Sequence, residues 1–342
     1  MEMWKREMHE PTSLKLAVRP FETPHAGRSL WQLTSTIIPF LVLWWSAHVL
    51  LSVSFWLTLP VLVIAAGFLV RIFVIFHDCC HGSFWRQRRW NQVVGVVTGI
   101  LTWFPYAQWR REHAIHHASN GNLSRRGTGD IWTLTVREYC AASRWRRLLY
   151  RLYRHPLVMF GLGPVLVVVI QYRWNQKGAR ASERWNTYAT NAALAVISAA
   201  LCWLCGWQHF LLIEGTILYL AGMAGIWLFY VQHQFDPSYF ASETEWDHVR
   251  AALEGSSFYR LPRVLQWFTA NIGYHHVHHL SSRIPNYYLE RAWVNTPALA
   301  AVPGMSLRES LRCLRHRLWD EENRCFVGFR DARLRATRAG LL

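Results

Sequence analysis

The chain has 342 residues, 52% hydrophobic and 17% charged, with 37 Lys+Arg against 21 Asp+Glu. That balance excludes intrinsic disorder, which needs few apolar residues and a high charge density. The length also excludes a small disulfide-stapled secreted domain. A formal charge of +16 suits nucleic acid or an anionic membrane surface. The apolar runs decide for the membrane.

Residues 29–70 carry no Lys, Arg, Asp or Glu. As one helix they would measure about 63 Å, against a hydrocarbon core of about 30 Å. The stretch therefore predicts two spans, about 32–52 and about 56–76, turning near Ser52–Phe55. Two shorter apolar runs follow. Val93–Phe104 holds Gly95 and Gly99, and Pro156–Ile170 holds Gly161, Gly163 and Pro164. Both are short for a span and predict interfacial or re-entrant helices. A second hairpin is predicted at about 187–205 and 209–231, turning at Gly206–Gln208. Trp31, Trp56 and Trp207 fall near the span ends, where an aromatic belt sits. Glu214 is a lone carboxylate in the fourth span and predicts a partner on a neighbouring helix. The pair Cys202 and Cys205 lies in an apolar run with no second pair, so ordinary thiols are expected.

Charge sets the expected orientation. The two predicted turns carry no Lys or Arg, whereas Tyr106–His155 carries ten against three acids. The positive-inside rule then puts both termini and the large connections in the cytoplasm. The expected architecture is an all-α integral membrane protein: one domain over 1–342, with transmembrane hairpins at 32–76 and 187–231. A helical cap is built from 77–186 and 232–342.

The 17 histidines are not scattered. His77 and His81 form HDCCH just past the predicted second span. His113, His116 and His117 form HAIHH. His275, His276, His278 and His279 form HHVHH, and His233 stands just past the fourth span. Histidines spaced i, i+3 and i+4 share one helix face. Imidazole suits iron, copper, zinc and nickel. His77, His81, His113, His116, His117, His233, His275, His278 and His279 exceed what one ion accepts, so a two-metal site is expected. His276 is a spare that competes with His275. His9, His25, His48, His155, His209, His248 and His316 read as ordinary histidines. Asp78, Glu112, Asp130, Asp236, Asp247 and Asn271 are candidates to orient ligands through the second ring nitrogen.

These boxes resemble those of the membrane fatty acid desaturases: H-x3–4-H, H-x2–3-H-H and H-x2-H-H. HDCCHGSFW, RRGTGDIWTLTVREY, FYVQHQF, NIGYHHVHHLSSRIPNYYL and LRHRLWDEENRCFVGF are similar to the bacterial acyl-lipid Δ12 (omega-6) branch. The resemblance runs from about residue 30 to about residue 330. One departure is Cys80, where that branch usually has Gly. The resemblance implies two iron ions on the nine histidines above, O2 as co-substrate and a cis double bond placed in a membrane-lipid acyl chain. It also implies an apolar tunnel for that chain, in a bacterial inner membrane with the site on the cytoplasmic side. No dinucleotide fingerprint or fused heme motif is present, so a separate ferredoxin-like electron donor is expected. A hydroxylase, an acetylenase or a desaturase of another double-bond position shares the boxes. A metal transporter would place its ligands near mid-membrane, and a heme carrier would need two axial histidines per heme. A nucleic-acid partner is not expected.

Overall fold

A computed structural model describes residues 11–338. After a short helix α1 (Pro11–Val18), four long apolar helices dominate: α2 (Ala26–Leu51), α3 (Phe55–His81), and, further on, α8 (Ala181–Cys205) and α9 (Trp207–His233). Each is long and apolar enough to cross a membrane. The intervening chain forms α4 (Arg88–Leu101), α5 (Tyr106–Ser119), α6 (Val136–Ala141) and α7 (Arg144–Tyr153), then two π-helical turns at Leu157–Leu162 and Val165–Ile170. At 14 residues α4 is only about 21 Å long, too short to span. After α9 come α10 (His248–Glu254), α11 (Arg263–Phe268), α12 (His275–Leu280), α13 (Asn286–Asn295) and, among further short turns, α14 (Phe329–Arg338). Two small strand pairs accompany them. β1 (Phe258–Arg260) runs parallel to β2 (Gly304–Ser306), and β3 (Leu318–Asp320) antiparallel to β4 (Cys325–Val327).

Each long helix runs past at least one end that hydropathy suggests: α2 and α8 start about six residues earlier, while α3 and α9 run on at their C-terminal ends. α3 continues five residues beyond the predicted 76 and carries His77 and His81 within its last turns. The HDCCH motif therefore lies inside the helix rather than beyond it. Its polar face meets the cap's side chains there instead of lipid. Gly82 stops the helix in the left-handed conformation (φ 72°), its N–H turning back to Asp78 and Cys79 carbonyls. Likewise α9 ends on His233 itself.

The main core lies among the spans. Ile72, Ile75 and Phe76 of α3 pack with Ile213 and Ile217 of α9, all fully buried. α4 lies close against α3 and α5. A Cβ on Gly95 would stand 2.3 Å from the Tyr106 ring, and one on Gly99 would stand 2.5 Å from the Phe104 carbonyl. Outward faces of the spans stay apolar, with Trp31, Trp56, Trp203 and Trp207 exposed. Such faces suit lipid contact. Glu214 accepts from Trp44 Nε1 at 2.9 Å and Trp103 Nε1 at 3.0 Å. It is the helix-to-helix partner its sequence context suggests. The seven cysteines are free thiols, Cys202 and Cys205 among them.

Candidate metal centre

Four helices converge on one end of the bundle: the last turns of α3 and α9, then α5 and α12. The i, i+3, i+4 spacing puts His113, His116 and His117 on one face of α5, and His275, His278 and His279 on one face of α12. The structure brings all nine expected imidazoles together, in two adjacent groups. His77, His81, His113, His117 and His278 have ring nitrogens within 4.8 Å of one another, as do His116, His233 and His279. His275 joins the second group, its Nε2 lying 3.0 Å from His233 Nε2 and 3.1 Å from His279 Nε2. The rings of His117 and His279 stack at 4.1 Å, so the two groups touch. The second and third boxes are each divided between the groups.

Nitrogen spacing points to cations. His113–His117 and His117–His278 Nε2 atoms stand 3.1 and 3.0 Å apart, and His116–His233 3.2 Å. Adjacent imidazole ligands bonded to one ion at about 2.1 Å would leave edges of about 3 Å. The protonation pattern sharpens this. His116 donates from Nδ1 to Asp130 Oδ1 at 2.6 Å, and His233 from Nδ1 to the Gly255 carbonyl at 3.4 Å. Both rings then face each other with bare Nε2 lone pairs, a repulsive contact unless a cation lies between them. His81 Nε2 is buried with no hydrogen-bond partner. An all-imidazole donor set of this kind fits first-row transition ions, iron included.

Burial favours the ligating state. It holds His113, His117, His275, His278 and His279 well below the usual histidine range, and the neighbouring imidazoles push the same way. The rings stay neutral and keep a lone pair for a metal.

Of the six orienting candidates, two reach a box histidine. Asp78 accepts a hydrogen bond from His77 Nδ1 at 3.2 Å and is held by the backbone N–H and Nδ2 of Asn286. Asp130 serves His116. Gly129 lets it do so: with φ 71°, a Cβ there would meet the Glu112 carbonyl at 3.0 Å. Glu112 accepts instead from Tyr172 Oη at 2.8 Å, Asp247 caps α10, and Asn271 donates to the Asn286 carbonyl. None of the hydrogen bonds described joins Asp236 to a box histidine. His276 sits about 100° around α12 from His275. Its Nε2 meets the Leu299 carbonyl at 3.3 Å, so it does not displace His275. Of the ordinary histidines, His25 caps α2 and His48 pairs with His209 at 3.1 Å. His9 lies outside the described residues.

Sequence reasoning passed over two neighbours. Trp109 stacks on His113 at 4.3 Å and also meets His77, closing the first group against the Phe73–Phe76–Phe104 cluster. Phe229 packs on His116 and His233. Their spacing was the available signal: Trp109 stands four residues before His113 on α5, and Phe229 four before His233 on α9.

Four helices long and apolar enough to cross a membrane, capped by a buried histidine cluster able to hold metal ions, are the features of a membrane metalloenzyme class. Residues 54–309 match the family model described as fatty acid desaturase, and the chain belongs to that family, an oxidoreductase family acting on acyl lipids. It is 56% identical over 322 residues to a "Fatty acid desaturase" of Bacillus subtilis, covering 94% of this chain and 92% of that one. It is 25% identical to the "sn-1 oleoyl-lipid 12-desaturase" of Picosynechococcus, covering 72% of each chain. It is 27% identical to the "sn-1 acyl-lipid omega-3 desaturase (ferredoxin)" of Synechocystis, covering 75% of this chain and 71% of that one.

Proposed function

We propose that the chain places a cis double bond at the Δ12 (omega-6) position of a membrane-lipid acyl chain. The observation that carries this reading is the pair of imidazole groups with Nε2 edges near 3 Å at the ends of two spanning helices. The Δ12 position is supported by the motif resemblance and by the oleoyl-lipid 12-desaturase among its relatives. A hydroxylase or acetylenase would use the same scaffold and is separated by its product.

The nine histidines would hold two iron ions, which with O2 and two electrons supply the oxidising power that side-chain acid–base chemistry lacks. Overall, –CH2–CH2– with O2, two electrons and two protons gives –CH=CH– and two waters. The chain's own residues do the positioning. Asp78 and Asp130 fix the tautomers of His77 and His116, so that Nε2 points inward. Burial of His116, His233, His275, His278 and His279 excludes bulk water. Phe73, Phe76, Phe104 and Trp109 pack into an apolar wall that closes the first group on one side. The whole chain acts as one desaturase domain in a bacterial inner membrane. Its termini and metal site face the cytoplasm, where a ferredoxin-like donor has access. The omega-3 relative named as ferredoxin-dependent supports that class of donor.

The test is fatty-acid profiling of a desaturase-deficient host expressing the chain with a reductant system, beside His116→Ala. A diene from an oleoyl chain, absent in the variant, is expected. A hydroxylated or triple-bonded product would replace the reaction assigned here. Protein in the membrane without iron would overturn the metal assignment.

A further inference from the structure

One basic cleft lies outside the metal centre. It has a volume of about 550 Å³ and is lined by Arg151, Arg154, His155, Arg317, Arg330 and Arg333. Phe329 and Leu334 complete its wall, and no carboxylate lines it. Among the described residues none of these five arginines has a carboxylate within ion-pair distance. The neighbouring Arg335, by contrast, is paired with Asp320.

The cleft is built, not a loose surface scatter. Arg154 is 0% exposed. It donates to the Trp132 carbonyl, Gln234 Oε1 and the His316 carbonyl, while its buried Nε has no partner. Arg317 is tied to the Arg154 carbonyl. Arg151 is tied to Tyr139 Oη at 2.6 Å and stacks over the Phe329 ring. Arg330 and Arg333 are three apart, on one face of α14. Burial, with Arg154 alongside, holds Arg317 below the usual arginine value. Gathering five guanidiniums without a counter-charge is unfavourable, and a bound anion relieves it.

The surroundings specify the anion. α7 has three sectors. Tyr150 is fully buried, Arg144, Arg147 and Arg151 form a basic edge, and Trp145, Leu148, Leu149 and Leu152 are exposed. Beyond it Leu157, Leu162, Leu166 and Ile170 are also exposed. A basic amphipathic helix continuous with an exposed apolar segment lies in the interfacial plane of a bilayer. Arg151 belongs both to that basic edge and to the cleft wall, and guanidinium forks match phosphate oxygens. Arg154 also bonds Gln234, the residue after His233. The cleft therefore abuts the metal centre through two residues.

We propose that this cleft binds the phosphodiester headgroup of an acyl lipid, holding its phosphate between Arg317, Arg330 and Arg333 while the acyl chains stay in the bilayer. The inference rests on the lipid-desaturating reading for the identity of the occupant. The cleft presents the lipid beside the metal centre and selects phospholipids over uncharged glycerolipids.

The test uses the full chain in detergent and measures binding of labelled dihexanoylphosphatidylglycerol, a readout that requires no turnover. The variant Arg330→Gln/Arg333→Gln alters exposed positions. Arg144→Gln/Arg146→Gln removes the same charge outside the cleft. Binding about tenfold weaker in the first variant and within about twofold of the parent in the second is expected. Dihexanoylglycerol, which lacks the phosphate, should not compete. Equal weakening in both variants would show diffuse attraction and overturn the site. Inorganic phosphate competing as well as the lipid would make this a free-phosphate site. Unchanged lipid binding with tenfold weaker binding of ferredoxin would make it a protein-docking surface. Because binding is read directly, failure here leaves the desaturase reading standing. A chain that binds lipid yet yields no new double bond would sink only the latter.

Discussion

Asp130 accepts the Nδ1 proton of His116 at 2.6 Å, across a loop that returns to α5 14 residues later. The carboxylate fixes the ring's tautomer and leaves Nε2 bare toward His233. Replacing Asp130 with Asn keeps the size but removes the charge that favours the Nδ1–H form. Asp130→Asn is expected to weaken metal binding about 10- to 100-fold. Iron per chain, titrated against a chelator, measures it. Unchanged retention would mean the carboxylate does not set the ligand's orientation.

Gly129 stands directly before that carboxylate. With φ 71° and only 3.0 Å between a built Cβ and the Glu112 carbonyl, a side chain there is strained in backbone and crowds Glu112 and His116. Gly129→Ala should destabilise the loop by about 1–2 kcal/mol from the left-handed backbone alone, and should lower iron content as Asp130 withdraws. Gly127→Ala is the control, since a Cβ there meets nothing within 4 Å while its φ of 112°, outside the left-handed helical well, makes Ala at least as strained in backbone terms. A lower melting temperature in both variants, with iron lost only from the Gly129 variant, is expected.

The third box contains a paired test. His275 Nε2 lies against His233 and His279, whereas His276 faces Leu299. His275→Ala is expected to lower iron stoichiometry, and His276→Ala to leave it intact while lowering stability. His276 also sets a pH dependence. Burial lowers its pKa to about 3, against 6.5 for a free histidine. The unfolded chain therefore takes up a proton that the folded chain refuses. Its contribution to stability is complete above pH 6.5 and shrinks as the pH falls toward 3. Melting temperatures of metal-loaded parent and His276→Leu chains should diverge less at pH 5.5 than at pH 7.5.

The histidines were legible because spacing on a helix is geometry: i, i+3 and i+4 leave little choice of face. The four spans were legible because the charge-free runs were long. Three things were not legible. The ends of α3 and α9 were missed because hydropathy falls where His77, Asp78 and His233 turn from lipid to the cap, although the helices continue. The division of each later box between two groups depends on how α5 and α12 cross, which spacing along one helix does not encode. The orienting carboxylates depend on loop closure. Asp130 reaches its histidine through the close approach at Gly129, whereas Glu112, next to His113 in sequence, turns to Tyr172 instead.

Glu214 separates structure from catalysis. It accepts hydrogen bonds from the indole N–H of Trp44 on α2 and of Trp103 in the turn after α4, tying three segments together within the bundle. Glu214→Leu would leave both indole N–H groups buried without an acceptor, at about 1–3 kcal/mol each. Gln in the same place keeps an amide oxygen for one indole and should lose less. The carboxylate is remote in sequence from every box, and none of its hydrogen bonds involves a histidine. The expected result is a lower melting temperature in the order Leu, Gln, parent, with iron content at the parent level in folded protein. Iron lost in step with stability would instead tie Glu214 to the metal centre, through the packing of α9 that carries His233.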